Sequence, residues 1–318
     1  MEPLLEYRNC PSCGQDDFEV LFGSDMKPDD FNVLFDYRME GHDCEEAEEG
    51  YLIPGKQWGR HVKCRNCHLV YMNPIEKVSK TNEYYHNAKN SHAPTIRDSY
   101  LRTAKSQMNL IRKYANGTNL LDIGCAQGFF LFAAAQAGYK TKGIEISQDA
   151  AAYAKREFGL NVEAKAFEDL RFPENHFDVV TLWQVLEHVP YPLAVLREVH
   201  RILKPKGLVA VSTPNIEGTP SRLLKKKWWD IKRLHVNQFS TDTLADIVRS
   251  AEFKNIYPAS YRGFISLSIL LTMMLKYVNG YERFRSLFDE GSISGKVLNK
   301  IMLIYPSTFN HCVVLGFK

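Results

Sequence analysis

The chain has 318 residues, 45% of them hydrophobic and 24% charged, which supplies a full core and argues against disorder; one large domain plus one small one is expected. Its 40 Lys and Arg against 37 Asp and Glu leave a formal charge of +3, too small to imply a nucleic-acid or membrane partner by itself. The opening residues, Met1 to Glu6, have neither the basic start nor the apolar run of a signal peptide, and no stretch reaches the roughly 18 apolar residues of a membrane span, so a cytoplasmic protein is expected.

In a reducing compartment, seven cysteines argue for metal rather than disulfides. Four of them form two pairs, Cys10-Pro-Ser-Cys13-Gly14 and Cys64-Arg-Asn-Cys67, each reading as a tight knuckle that aims two thiolates at one point. Together Cys10, Cys13, Cys64 and Cys67 make the closed four-sulfur shell of a structural zinc ion. Gly14 suits the turn because that position often needs positive φ. The 50 residues between the pairs are tolerable because loop-closure entropy grows only logarithmically with length. Within them Glu40, Asp43, Glu45, Glu46, Glu48 and Glu49 crowd around Cys44 and read as a solvated acidic loop. His61 and His68 flank the second knuckle and are expected at the surface, since four thiolates already complete the shell. A short strand from His68 runs into a turn at Pro74, and Tyr84-Tyr85 begins the passage to the next domain. The expected division is a zinc ribbon over residues 1–85 and a second domain over 86–318.

Tyr100, Leu101, Ala104, Met108 and Ile111 recur at helical spacing, predicting an amphipathic helix over about 95–114. Asn119-Leu-Leu-Asp122-Ile-Gly124-Cys-Ala-Gln-Gly128, with a helical run from Phe129 to Ala137, reads as strand, glycine turn and helix. Such a turn lets backbone approach a ligand, and the helix N-terminus offers free N–H groups, so a nucleotide cofactor is expected here. The full Gly-x-Gly-x-x-Gly of dinucleotide enzymes is absent. A second strand, Lys142-Gly-Ile-Glu145, ends in an acid 23 residues after Asp122, where a carboxylate accepts ribose hydroxyls. A helix over Asp149 to Phe158, a third strand ending near Ala164, a fourth over Phe177 to Trp183, a helix through Leu203 and a fifth strand over Lys206 to Asn215 follow. Strands at about 255–261 and from His311 to Phe317 complete the expectation: an α/β, Rossmann-like seven-stranded sheet with helices on both faces.

Taken together, Leu-Asp-Ile-Gly-Cys-x-x-Gly, Gly-Ile-Glu, Phe-Asp-Val-Val, Val-Leu-Glu-His-Val and Leu-Lys-Pro-x-Gly resemble the class I S-adenosylmethionine methyltransferases related to the ubiquinone-pathway O-methyltransferases. The resemblance covers about residues 95 to 262. The ribbon, ending in Cys-x-x-Cys-x-Leu-Val-Tyr-x-Asn-Pro, is similar to that attached to many bacterial members. The resemblance implies S-adenosylmethionine as cofactor. It puts Asp122, Gly124 and Gly128 around the methionine part, Glu145 on the ribose, Ile146 and Phe167 beside adenine, and Trp183 and Gln184 near the sulfonium. Many relatives carry Asp where this chain has Ala166, so adenine recognition is expected to use backbone groups, Glu168 or water instead. Cys125 reads as a small buried filler, because methyl transfer needs no covalent enzyme intermediate.

A methyl transferase must hold its acceptor in line with the sulfonium and, for a hydroxyl acceptor, take up a proton. His188, after the fourth strand, is the first candidate for that base because its ordinary pKa lies near neutrality, and His235 is the second. Lys225-Lys-Lys227-Trp228-Trp229-Asp-Ile-Lys232-Arg233 fits a phosphorylated or nucleotide-linked acceptor, or else a solvated helix with packed tryptophans. Phe264 to Val278 reads as an apolar helix, within an insertion at about 263–310, that caps the site or joins two copies as a homodimer; interfacial membrane contact is the alternative. A small-molecule acceptor is expected. RNA as acceptor is disfavoured by the acidic loop, and a non-catalytic cofactor-binding partner is the remaining alternative.

Overall fold

The computed structural model describes residues 5–22, 59–87, 94–232, 234–275 and 293–318. The acidic loop around Cys44 and the expected helix beyond residue 275 lie outside the described residues.

Near-continuous apolar runs produce strands buried on both faces. β6 (Asn119–Ile123), β7 (Lys140–Glu145), β8 (Val162–Ala164), β9 (Phe177–Trp183) and β10 (Leu203–Pro214) pair in parallel. β15 (His311–Phe317) lies antiparallel between β10 and β12 (Lys254–Pro258). The sheet order is β12-β15-β10-β9-β6-β7-β8, so the chain reverses its direction of winding between β6 and β9. In open α/β sheets ligands bind at that switch point, beyond the carboxyl ends of the strands. Leu120, Leu121, Val179, Val180, Leu182 and Val209 are fully buried along this centre.

The helix α1 (Val78–Asn87) occupies the segment expected to be a passage between domains. α2 (Pro94–Ile111), α3 (Phe129–Gln136) and α4 (Gln148–Phe158) match the apolar periodicity. α4 starts where the Ser147 hydroxyl accepts from the Ala150 N–H, and stops at Gly159 in the left-handed conformation (φ 65). α5 (Pro192–Ile202) begins on a proline whose missing N–H costs nothing there.

The ribbon consists of β2 (Phe18–Phe22), β3 (His61–Cys64) and β4 (Val70–Met72). Its sheet order is β11-β4-β3-β2, and the fourth strand, β11 (Asn237–Gln238), comes from the far side of the chain. Cys10, Val62, Cys64, Leu69 and Tyr71 share one apolar cluster with Leu121, Leu186, Phe239 and Leu244. Ribbon and sheet therefore have a common core.

Two sequence expectations are corrected. Phe264 to Ser266 is not helical: these residues belong to β13 (Arg262–Ser266), paired antiparallel with β14 (Met302–Pro306). The helix α8 starts only at Leu267 and is described to Leu275, with the Ser266 hydroxyl accepting from the Ile269 N–H as its cap. Between α5 and α8 the chain forms α6 (Thr219–Leu224) and α7 (Thr241–Ser250). His61 is not at the surface. It is fully buried on β3, on the face opposite Val62 and Cys64, with its ring stacked on Phe22 at 4.6 Å.

Candidate active site

The turns that leave β6, β7 and β9, with α1, α2 and β13 above them, enclose a cavity of about 810 Å³, within the size range of cofactor and ligand pockets. Asp122, Gly124, Glu145, Ile146, Ala166, Phe167, Trp183, Gln184 and His188 all line it. Gly128 and His235 do not.

At the cofactor end, parallel register sets Asp122 beside Gly143 on one side and Thr181 on the other. The Asp122 carboxylate accepts from the Thr181 hydroxyl at 2.6 Å, and burial pushes its pKa up to about 7. Glu145 accepts from the Ala126 N–H at one oxygen and from the Ser147 N–H at the other, both at 2.8 Å. Burial raises its pKa, opposed by these N–H groups. Two fixed bonds hold the carboxylate in one orientation and leave lone pairs for two vicinal hydroxyls. Gly124 has φ 67, and a Cβ there would lie 2.6 Å from Val185, so only glycine keeps the turn low. Gly128 serves packing: with φ 80 it opens α3, and a Cβ would come within 2.9 Å of Ala154 on α4. Cys125 is buried with its sulfur facing Gly143, as expected of a filler.

The other end of the cavity is aromatic. Trp183 packs edge-on against Phe130 at 5.2 Å and Tyr261 at 5.7 Å, and its indole N–H is buried without a partner among the described residues. His188 Nδ1 lies 2.6 Å from the Tyr85 hydroxyl and 3.0 Å from the Leu234 carbonyl. Burial holds His188 at a pKa of about 4, with Lys232 adding to the effect, so the ring is neutral near pH 7. His235 stands behind it, ring centroids 4.6 Å apart, and is buried away from the cavity; burial, then the neighbouring His188, drives its pKa well down. Glu187, His188 and His235 bring one carboxylate oxygen and two ring nitrogens within 4.8 Å of one another, close enough to share a proton or a cation. Burial lifts the Glu187 carboxyl well above its ordinary range.

Lys225, Lys227 and Lys232 of the lysine-rich segment do not line the cavity. Lys225 and Lys227 are exposed and outside the cavity wall, while Trp228 is fully buried and donates to Asn310 Oδ1 at 3.2 Å. Trp228 is therefore core. Tyr85 was missed as a site residue, although Val78, Thr81, Asn82 and Tyr85 form an i, i+3, i+4, i+7 stripe and all four line the cavity.

In the ribbon, Cys10 and Cys67 sulfurs lie 3.4 Å apart and Cys13 and Cys64 3.5 Å apart, all four within 4.8 Å and none in a disulfide. Tetrahedral bonds of about 2.3 Å place sulfurs roughly 3.8 Å apart, so the cluster fits a structural zinc ion. Both knuckles close with an N–H to the first cysteine's carbonyl, Gly14 to Cys10 at 2.8 Å and His68 to Cys64 at 3.0 Å. Gly14 and His68 both have positive φ, the geometry expected for the first knuckle and repeated by a non-glycine residue in the second.

Residues 90–257 match the family described as a methyltransferase domain. The chain is 39% identical over 124 residues to a ubiquinone biosynthesis O-methyltransferase of Haemophilus ducreyi, covering 34% of this chain and 52% of that one. It is 41% identical over 118 residues to a protein of the same description from Pseudomonas syringae pv. tomato, covering 34% and 50%. The chain thus spans about half the length of the curated relatives it matches. Among solved structures it is similar to a methyltransferase of Thermotoga maritima described as a possible histamine N-methyltransferase, with 22% identity, TM-score 0.47, and coverage of 69% and 91%.

Proposed function

Because the chain belongs to the methyltransferase-domain family, with S-adenosylmethionine as its cofactor, we propose that it transfers a methyl group to a hydroxyl of a small-molecule acceptor. The observation that carries this reading is the placement of a doubly anchored Glu145 at one end of the cavity and the neutral His188 at the other.

The residues present fit the cofactor. Glu145 offers two oriented oxygens to a ribose, Ile146 and Phe167 offer an apolar wall to a purine, and the turn at Gly124 lets main chain come close to the amino acid part. Ala166 supplies no carboxylate at the purine edge. Bound S-adenosylmethionine supplies an activated methyl group. The protein's task is then to orient the acceptor and receive its proton. Trp183, Phe130 and Tyr261 form an aromatic chamber that excludes water and restrains an acceptor. His188 is the base in this reading. Burial keeps it unprotonated at neutral pH, so it is ready to accept a proton, though a weaker base than a free imidazole. His235, behind that ring, acts on it only indirectly.

The test is incubation with methyl-labelled S-adenosylmethionine and fractionated cell extract. Label is expected in a small metabolite as a methyl ether. Label in RNA, or cofactor binding with no labelled product in any fraction, would overturn the proposal.

A further inference from the structure

Arg8 lies two residues before the first zinc ligand, yet its guanidinium is buried and spans from the ribbon to the far side of the site. Nε donates to the Met72 carbonyl at 3.3 Å, within the ribbon. Nη2 donates to the Val236 carbonyl at 2.9 Å and to Asn237 Oδ1 at 3.1 Å, and Nη1 donates to the Pro190 carbonyl. The main chain of Arg8 is fixed as well, by a reciprocal pair with the buried Asn73 amide: Arg8 N–H to Oδ1 at 3.1 Å and Nδ2 to the Arg8 carbonyl at 3.0 Å.

Asn237 passes this grip on. It is fully buried, its Nδ2 donates to the carbonyls of Leu186 at 3.1 Å and Val189 at 2.7 Å, and its N–H donates to the Glu187 carbonyl at 3.1 Å. Those three carbonyls bracket His188. The turn Leu186–Pro190, which has few bonds of its own, is thus held by donors from outside it. Among the described residues, the side-chain donors to the carbonyls of this turn are Asn237 and Arg8, and Arg8 is itself bonded to Asn237 and to the ribbon.

We propose that Arg8 is a positioning residue that, through Asn237, fixes the turn carrying His188 at the acceptor end of the cavity, making the zinc ribbon part of the catalytic apparatus rather than an appended binding module. The proposal rests on the reading of His188 as a residue of the acceptor end. A planar, five-donor guanidinium is suited to it, because it must satisfy carbonyls converging from three separate segments at once. Lysine, with one nitrogen, cannot span them. Displacement of a reacting group by about 1 Å is enough to cost roughly 10²-fold in rate.

The experiment compares wild type, Arg8→Met, Arg8→Lys and Asn237→Ala, all as zinc-loaded full-length protein. Arg8→Met is expected to lower kcat by roughly 10²-fold while the Kd and KM for S-adenosylmethionine stay within about threefold, because Asp122 and Glu145 lie outside this network. Arg8→Lys should recover only part of the loss. Hydrogen exchange should accelerate over residues 186–190 and at Asn237, with β6 unchanged. Wild-type kcat in Arg8→Met, or cofactor affinity falling in step with kcat, would overturn the proposal. Should Arg8→Met fail to fold, Asn237→Ala decides, since it frees the same turn with Arg8 in place; wild-type turnover and exchange there overturn the proposal. If the wild type methylates nothing, the functional reading has failed, and exchange at 186–190 in the variants still decides whether the clamp exists.

Discussion

The Tyr85 hydroxyl sits 2.6 Å from Nδ1 of His188, so a side chain from ahead of the family-matched segment, residues 90–257, touches the histidine that follows the fourth core strand. The Leu234 carbonyl, at 3.0 Å, shares that nitrogen. Tyr85 therefore helps to set the ring's orientation, and with it which nitrogen is free to take a proton.

His188→Ala is expected to lower turnover on the acceptor by about 10²-fold or more, with cofactor affinity nearly unchanged. Tyr85→Phe should have a smaller effect in the same direction, roughly tenfold, since the Leu234 carbonyl still orients the ring. Steady-state kinetics on the identified acceptor checks both. Wild-type turnover in His188→Ala would leave the histidine a structural role only.

Glu145→Ala should weaken binding of S-adenosylmethionine by on the order of 2–3 kcal/mol through loss of two charge-assisted bonds. Part of that loss comes from the turn itself, because the Ala126 and Ser147 N–H groups lose their acceptor. Calorimetry on the zinc-loaded variant measures it, and an unchanged Kd would remove Glu145 from the site.

Metal removal should reach beyond the ribbon. Cys10 and Cys64 belong to the same apolar cluster as Leu121 and Leu244, and β4 pairs with β11, so the two parts should unfold together. A strong chelator should lower Tm by about 5–7 °C, corresponding to a loss of roughly 3–5 kcal/mol, in a single transition. Two separated transitions, with the sheet unaffected, would contradict the shared core.

Acid should destabilise the fold through His61. Burial holds its pKa at about 4, below the ordinary 6.5, so the unfolded chain takes up the proton first. Stability is full above about pH 6.5 and falls as pH drops through 6.5 towards 4, by about 2 kcal/mol at pH 5 from this group alone. Urea unfolding at pH 7 and pH 5, with zinc content checked at each, should show a smaller pH difference for His61→Phe than for wild type. Equal differences would show that His61 is not responsible.

The parallel sheet was legible because its signals are local. Apolar runs such as Leu120-Leu121 and Val179-Val180 need no partner to be recognised as buried strands, and the order of Asp122, Gly124 and Glu145 follows from the turn each occupies. The contact of Gly128 with Ala154 was not legible, since a glycine beside a ligand and a glycine beside a helix look the same in sequence. Phe264 to Ser266 read as helix because the apolar run is continuous, whereas pairing with Met302 to Ile304 overrode local preference.

Sequence alone determined the cofactor-binding order of motifs, the α/β class and the four-cysteine set, all carried by spacing along the chain. Tertiary structure alone decided that Tyr85 meets His188, that His235 stands behind it, that His61 and Trp228 are core, and that Arg8 reaches Pro190 and Val236. Those contacts join residues up to 228 positions apart, and no local pattern encodes them. The Arg8 contacts arise because β11 closes the ribbon's sheet, which brings the chain's first described residues against the turn that carries His188.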